Sequence, residues 1–150
     1  MPTLIHRRVA EARRGDNPKV ICQTHARWAV MGDTQFLAGY CLLLPDPVVP
    51  SLNDLTPERG ALFLREMTAL GDALLEVTDA IRVNYEILGN LEPALHAHVF
   101  PRFADEPDDL RHRPAWFYPK PRRPGFDLDR DRPLMQKIAT HLKQRGVAAG

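Results

Sequence analysis

Apolar positions recur with two different periods along this chain, and the periods divide it into elements. Near the start, Leu4, Ile5, Val9 and Ala12 fall on one face of a predicted helix over Thr3 to Arg14, which Gly15 can close. Asn17-Pro18 breaks the chain. Lys19 to Cys22 and Ala26 to Met31 ("ARWAVM") are expected strands, "GDTQ" supplies turn chemistry, and "YCLLLP" is a buried strand ending at Pro45. "PDPVVPSLND" is rigid and extended, because each proline fixes its own φ and disfavours helix before it. A long helix follows. Thr56 is its N-cap, Pro57 its first residue and Glu58 lies in its first turn. Phe63, Met67, Leu70, Leu74, Val77 and Ile81 make its apolar face, with the helix running to about Ala80.

The period then drops to two. In "RVNYEIL", Val83, Tyr85 and Ile87 point one way and Asn84, Glu86 and Leu88 the other. Gly89-Asn90 is a turn or bulge signal, and "ALHAHVF" is a further strand, ended by Pro101. Residues 104–130 form a Pro-, Asp- and Arg-rich irregular arm carrying Trp116, Phe117 and Tyr118. A closing helix is expected over 131–146, with Leu134, Ile138 and Leu142 on one side and Gly146 as a stop.

Composition narrows the function classes. A chain of 150 residues with 44% hydrophobic content fits a single domain over 1–150 with an ordinary core. The net charge of +1 gives no global basic field for nucleic acid. Arginine clusters at Arg7, Arg8, Arg13 and Arg14, and around Lys120 to Arg123, are read as solvated faces. Cys22 and Cys41 make no C-x-x-C pair and lie in apolar runs, as buried thiols do. With no apolar run long enough to span a bilayer and no signal-peptide core, a cytoplasmic protein is expected.

The chemistry concentrates in "GNLEPALHAHVFPRF". On a strand, Ala94, His96 and His98 share a face, while Leu95, Ala97 and Val99 take the other. Neighbouring imidazoles repel when both are charged, so two on one face call for solvent, a partner or a ligand. Two chemistries use this pattern. A metal site needs further ligands, and nothing selects one among His6, His25, His112 and His141. In phosphoryl or nucleotidyl transfer, one imidazole attacks phosphorus and the other donates to a phosphate or leaving-group oxygen.

"GNLEPALHAHVFPR" resembles the signature of the histidine triad family, a Gly-Gln or Gly-Asn turn followed by three histidines on alternate strand positions and often Pro-Arg. "WAVMGDTQFLAGYCLLLP" resembles the family's hairpin and "LNDLTPE" its entry to the long helix, so the likeness covers about Val20 to Arg102. The resemblance implies an α+β fold: an antiparallel sheet of about five strands, one long helix across it, and peripheral N- and C-terminal helices. It implies that His96 is the nucleophile and that His98 contacts phosphate and the leaving group. Asn90 takes the place of the side chain that binds phosphate, Asn84 lies near the site, and Gly32 and Asp33 fall in the hairpin that contacts ribose. Arg102 is in a family-like position, where it either serves the site or anchors the tail. A homodimer is implied, with a nucleotide as ligand. No cofactor is required, though a polyphosphate substrate can bring Mg²⁺.

Three positions depart from the pattern. Ala94 replaces the first triad histidine, Tyr40 stands where the family has a histidine after Pro-Gly, and Asn53 falls where relatives place another. The nucleophile still needs only one free nitrogen and a fixed acceptor for the other, and Ala94 retains the backbone carbonyl that serves. The reading is a nucleotide hydrolase or nucleotidyl transferase acting at the α-phosphate of a dinucleoside polyphosphate, a phosphoramidate or a related conjugate. The alternatives are a nucleotide-binding protein without turnover and a strand-based metal site on His96 and His98.

Overall fold

The structure is a computed structural model describing residues 2–149. Helix α1 spans Leu4–Arg14. It starts in a capping box, in which Thr3 Oγ1 accepts from the His6 amide and His6 Nδ1 accepts from the Thr3 amide. It stops at Gly15, whose φ of 75° is one that a side chain resists. Strands β1 (Val20–Gln23), β2 (Arg27–Met31) and β3 (Cys41–Pro45) follow. After a 3-10 turn at Leu52–Asp54 comes helix α2, Pro57–Val77, and then β4 (Arg82–Glu86) and β5 (Ala97–Arg102). The five strands make one antiparallel sheet in the order β1-β2-β3-β5-β4. The arm contains 3-10 turns at Ala115–Phe117 and Lys120–Arg122, and helix α3 covers Leu128–Gln144. The fold class is thus the α+β sheet and helices expected.

Several boundaries move. Helix α2 stops three residues before Ala80, because Thr78 Oγ1 donates to the Leu74 carbonyl and accepts from the Ala80 amide. Ile81 therefore leaves the apolar face and is 67% exposed. Helix α3 starts at Leu128, before the expected 131, since Asp127 accepts from the Arg130 amide as N-cap. Pro133 is consequently an interior residue that forgoes one helical bond. The ladder of β5 begins at Ala97, so Ala94 and His96 lie just ahead of it, and it runs through Pro101 to Arg102.

The two faces of the sheet carry different layers. On one, Ala97 and Val99 of β5 pack with Phe63, Leu70 and Leu74 of α2 and Ile138 and Leu142 of α3, all essentially fully buried. Each of these side chains larger than alanine contributes about 1.5–3 kcal/mol by leaving water. On the other face, α1 places Ile5 and Val9 against Val30, Leu44 and Ala94. The arm places Leu110, Ala115 and Tyr118 against Tyr40 and Phe100. Between these two covers part of the second face stays open. No helix among the described residues is long and apolar enough to cross a membrane.

Candidate active site

The opening is a cavity of about 520 Å³ that contains both histidines. Its floor follows from register. Val30 opposes Leu42, Leu42 opposes His98, and His98 opposes Glu86, so these residues form one row across β2, β3, β5 and β4. Leu4, Ile5, Val30, Leu42 and Leu44 make an apolar end beneath α1. Asn90 lies on the rim, in the loop between β4 and β5 that Gly89 turns with a φ of 99°. Asp33, Lys19 and Arg8 form a charged part of the wall.

His96 and His98 are both 7% exposed, with ring centroids 4.7 Å apart and planes at 80°. His96 Nδ1 lies 2.7 Å from the Ala94 carbonyl oxygen. A carbonyl can only accept, so Nδ1 carries a hydrogen, and in the neutral ring the lone pair is on Nε2. His98 Nδ1 lies 2.7 Å from the Tyr40 hydroxyl, and its ring meets Trp116 of the arm edge-on at 5.2 Å. Burial, reinforced by the neighbouring His96, pushes the His98 pKa down to about 4, so this ring is neutral at pH 7.

Asp33 is half-buried. Burial alone would raise its pKa, but Lys19 at 2.9 Å and Arg8 at 3.3 Å outweigh that and hold the carboxyl below its usual range. Gly32 does not line the cavity. A Cβ there would lie 2.2 Å from Cε2 of Tyr40, so Gly32 is the bed on which that ring rests.

Asn84 and Arg102 are not brought to this cavity. They line a separate cavity of about 780 Å³ along the β4 edge. Arg102 donates to Asn84 Oδ1 at 2.8 Å, to the Arg113 and Leu110 carbonyls, and through Nε and Nη2 to Glu106. Tyr118 also donates to Glu106, at 2.6 Å. This is a buried clamp that ties the arm to β5. Of the two roles expected for Arg102, the structure displays the anchoring one. Sequence reasoning named Tyr40 only as a departure and Trp116 only as an arm residue. Their contacts with His98 come from register and from the path of the arm, which a local pattern does not show. Among the described residues no third His, Cys, Asp or Glu joins His96 and His98 in a metal-holding group.

No protein-family model and no curated protein matches the sequence. Solved structures do match the fold. A histidine triad protein from Sinorhizobium meliloti superposes with a TM-score of 0.71 at 22% identity, covering 82% of this chain and 88% of that one. A zinc-bound histidine triad family protein from Mycobacterium smegmatis gives 0.67 at 19% identity, over 91% and 95%. A protein from Sulfolobus tokodaii, described as a hypothetical histidine triad nucleotide-binding protein, gives 0.69 at 14% identity, over 90% of both chains. By these superpositions the chain has the fold of the histidine triad proteins.

Proposed function

We propose that the protein binds nucleotides in the cavity of His96 and His98 and acts as a nucleotide hydrolase or nucleotidyl transferase. The observation that carries this reading is the 2.7 Å contact from His96 Nδ1 to the Ala94 carbonyl. It leaves the Nε2 lone pair, within the cavity, as a nucleophile of fixed direction. The base occupies the apolar end under α1. The ribose lies toward Asp33, and the phosphates lie between the histidines and Asn90. Nε2 of His96 attacks the α-phosphorus, and the bond to the leaving oxygen breaks with its electron pair staying on that oxygen. Asn90 and His98 stabilise charge on the phosphate oxygens. Water then attacks the same phosphorus, the P–N bond breaks, its electrons return to Nε2, and a proton passes to solvent. The residues named perform these steps without a resident cofactor, and a Mg²⁺ ion arrives only as the counter-ion of a polyphosphate. The same reading places the protein in the cytoplasm, where nucleotide conjugates are made, as a homodimer.

The test is a panel of nucleotide conjugates with mass spectrometry of the acid-trapped protein. One added nucleotidyl mass on His96 is expected, and His96→Ala abolishes both the adduct and the burst of product. An unaltered burst in His96→Ala rules the assignment out. The small side chain at Ala94 favours a second reading, binding without turnover, which thermal stabilisation by a nucleotide with no product would single out.

A further inference from the structure

Tyr40 stands where the resemblance leads one to expect a histidine, and it is firmly held. Its ring is 4% exposed, stacks on Phe100 with centroids 4.1 Å apart, and rests over Gly32, where even a methyl group would collide. Among the described residues its hydroxyl has one hydrogen-bond partner, Nδ1 of His98 at 2.7 Å. Burial raises the phenol pKa far above neutrality, so the hydroxyl keeps its hydrogen. A buried O–H left without an acceptor is costly. If His98 carried its hydrogen on Nδ1, the phenol could only accept, and its own hydrogen would be unpaired. The arrangement is satisfied when Tyr40 donates to Nδ1 and the imidazole hydrogen sits on Nε2. The adjacent rings are then complementary, with His96 offering a lone pair and His98 an N–H.

We infer that Tyr40 is a positioning residue that holds His98 as the neutral Nε2–H tautomer, a hydrogen-bond donor and not a proton donor, and that the site therefore suits conjugates whose leaving group departs as a stable anion, as a phosphoanhydride does, over those that release an amine. The tautomer stands on the Tyr40–His98 hydrogen bond and the burial of both rings, while the substrate preference rests on the nucleotidyl-transfer reading. A phosphate leaving group takes the electron pair of the broken P–O bond and departs as an anion with no proton gained. An amine leaves a P–N bond only after its nitrogen has gained a proton, and neutral His98 hydrogen-bonds without giving one. His98 is buried beside His96, which works against its charged form.

The experiment has two arms. In ligand-free protein labelled with ¹⁵N-histidine at pH 7, His98 is expected to show a protonated Nε2 and an Nδ1 shifted by an accepted hydrogen bond. Tyr40→Phe, whose fold the same spectra check, removes that shift. A protonated Nδ1 in the wild type, or an unchanged His98 in Tyr40→Phe, overturns the assignment. In the second arm, the wild type turns over a nucleoside polyphosphate faster than the phosphoramidate of the same nucleoside, by about 100-fold or more in kcat. Tyr40→Phe lowers kcat on the polyphosphate by about 10–100-fold with KM little changed. Equal turnover of the two conjugates overturns the substrate preference. If no conjugate is turned over, the nucleotidyl reading and the preference built on it fall together, while the ligand-free spectra still decide the tautomer.

Discussion

Replacing Arg102 with methionine should cost far more than a typical surface change, and by a route the structure specifies. Arg102 is 6% exposed, and its guanidinium holds five acceptor atoms: both Glu106 oxygens, Asn84 Oδ1 and the carbonyls of Arg113 and Leu110. Methionine fills much of the volume and satisfies none of them. Breaking a buried ion pair from one side costs about 3–5 kcal/mol, because the abandoned charge stays buried. That is a large share of the about 5–15 kcal/mol that stabilises an ordinary domain. The damage should concentrate in the arm, since two of the acceptors are arm carbonyls and Glu106 also anchors Tyr118 and the Phe103 amide. Urea unfolding followed by tryptophan fluorescence measures the loss, and limited proteolysis shows whether cleavage falls between 104 and 127. Arg102→Met with Glu106→Gln should lose less than the sum of the two single changes, since the stranded carboxylate is gone. The pH dependence has a defined sign. Burial alone would raise the Glu106 pKa, but hydrogen bonds from Arg102, Tyr118 and the Phe103 amide outweigh it and lower the pKa. The pair's contribution is therefore present above the ordinary carboxylate range and fades as pH falls through the lowered folded value, so the Arg102→Met deficit should shrink in acid. A loss under about 1 kcal/mol, or strictly additive changes, would refute the clamp.

Two further outcomes follow from other parts of the structure. His98 titrates near 4 when folded against 6.5 as a free side chain, so the unfolded chain binds more protons between those values. Stability should be complete above pH 6.5 and fall as pH drops toward 4, by roughly 3 kcal/mol at most. The groups around this ring are His96, Tyr40 from the β2–β3 connection, Leu42, Phe100 of its own strand, Glu86 opposite it on β4, and Trp116 from the arm. His98→Gln should flatten that part of the pH profile, and an identical profile would contradict the assignment. The proposed homodimer would form through the β4 edge, where a two-fold axis at Asn84 would set Arg82 opposite Glu86 of a second copy, beside exposed Ile81. Sedimentation should give twice the chain mass for the wild type and the monomer for Ile81→Asp; a wild-type monomer would remove the proposal.

The parts of this fold that were legible in the sequence are those governed by local rules. Thr56 and Pro57 announced the start of α2, and alternation placed Ala94, His96 and His98 on one face. The end of α2 was hidden because Thr78 stops it through a side-chain bond to Leu74, without glycine or proline. The start of α3 was hidden because the spacing of Leu134, Ile138 and Leu142 begins only at Leu134, while Asp127 caps the helix earlier. Asn84 and Arg102 looked like site residues for a related reason. Arg102 shares a face with His98, and Asn84 pairs with Phe100 between them. Parity along a strand fixes the face but not the distance, and at the far end of that face the arm had already claimed Arg102. The link between Tyr40 and His98 joins residues 58 apart in the chain and depends on the β3–β5 register, which no local pattern encodes.

Ala94 brings out a different consequence. Its carbonyl orients His96, and its methyl group, 1% exposed, touches the cluster formed by Ile5, Val9, Val30 and Leu44. The orienting atom belongs to the main chain, so any residue at 94 would supply it, and the side chain there is free to serve packing. A bulky imidazole there would press on the N-terminal helix. The small methyl group instead lets the helix seat directly on this segment and close one end of the cavity.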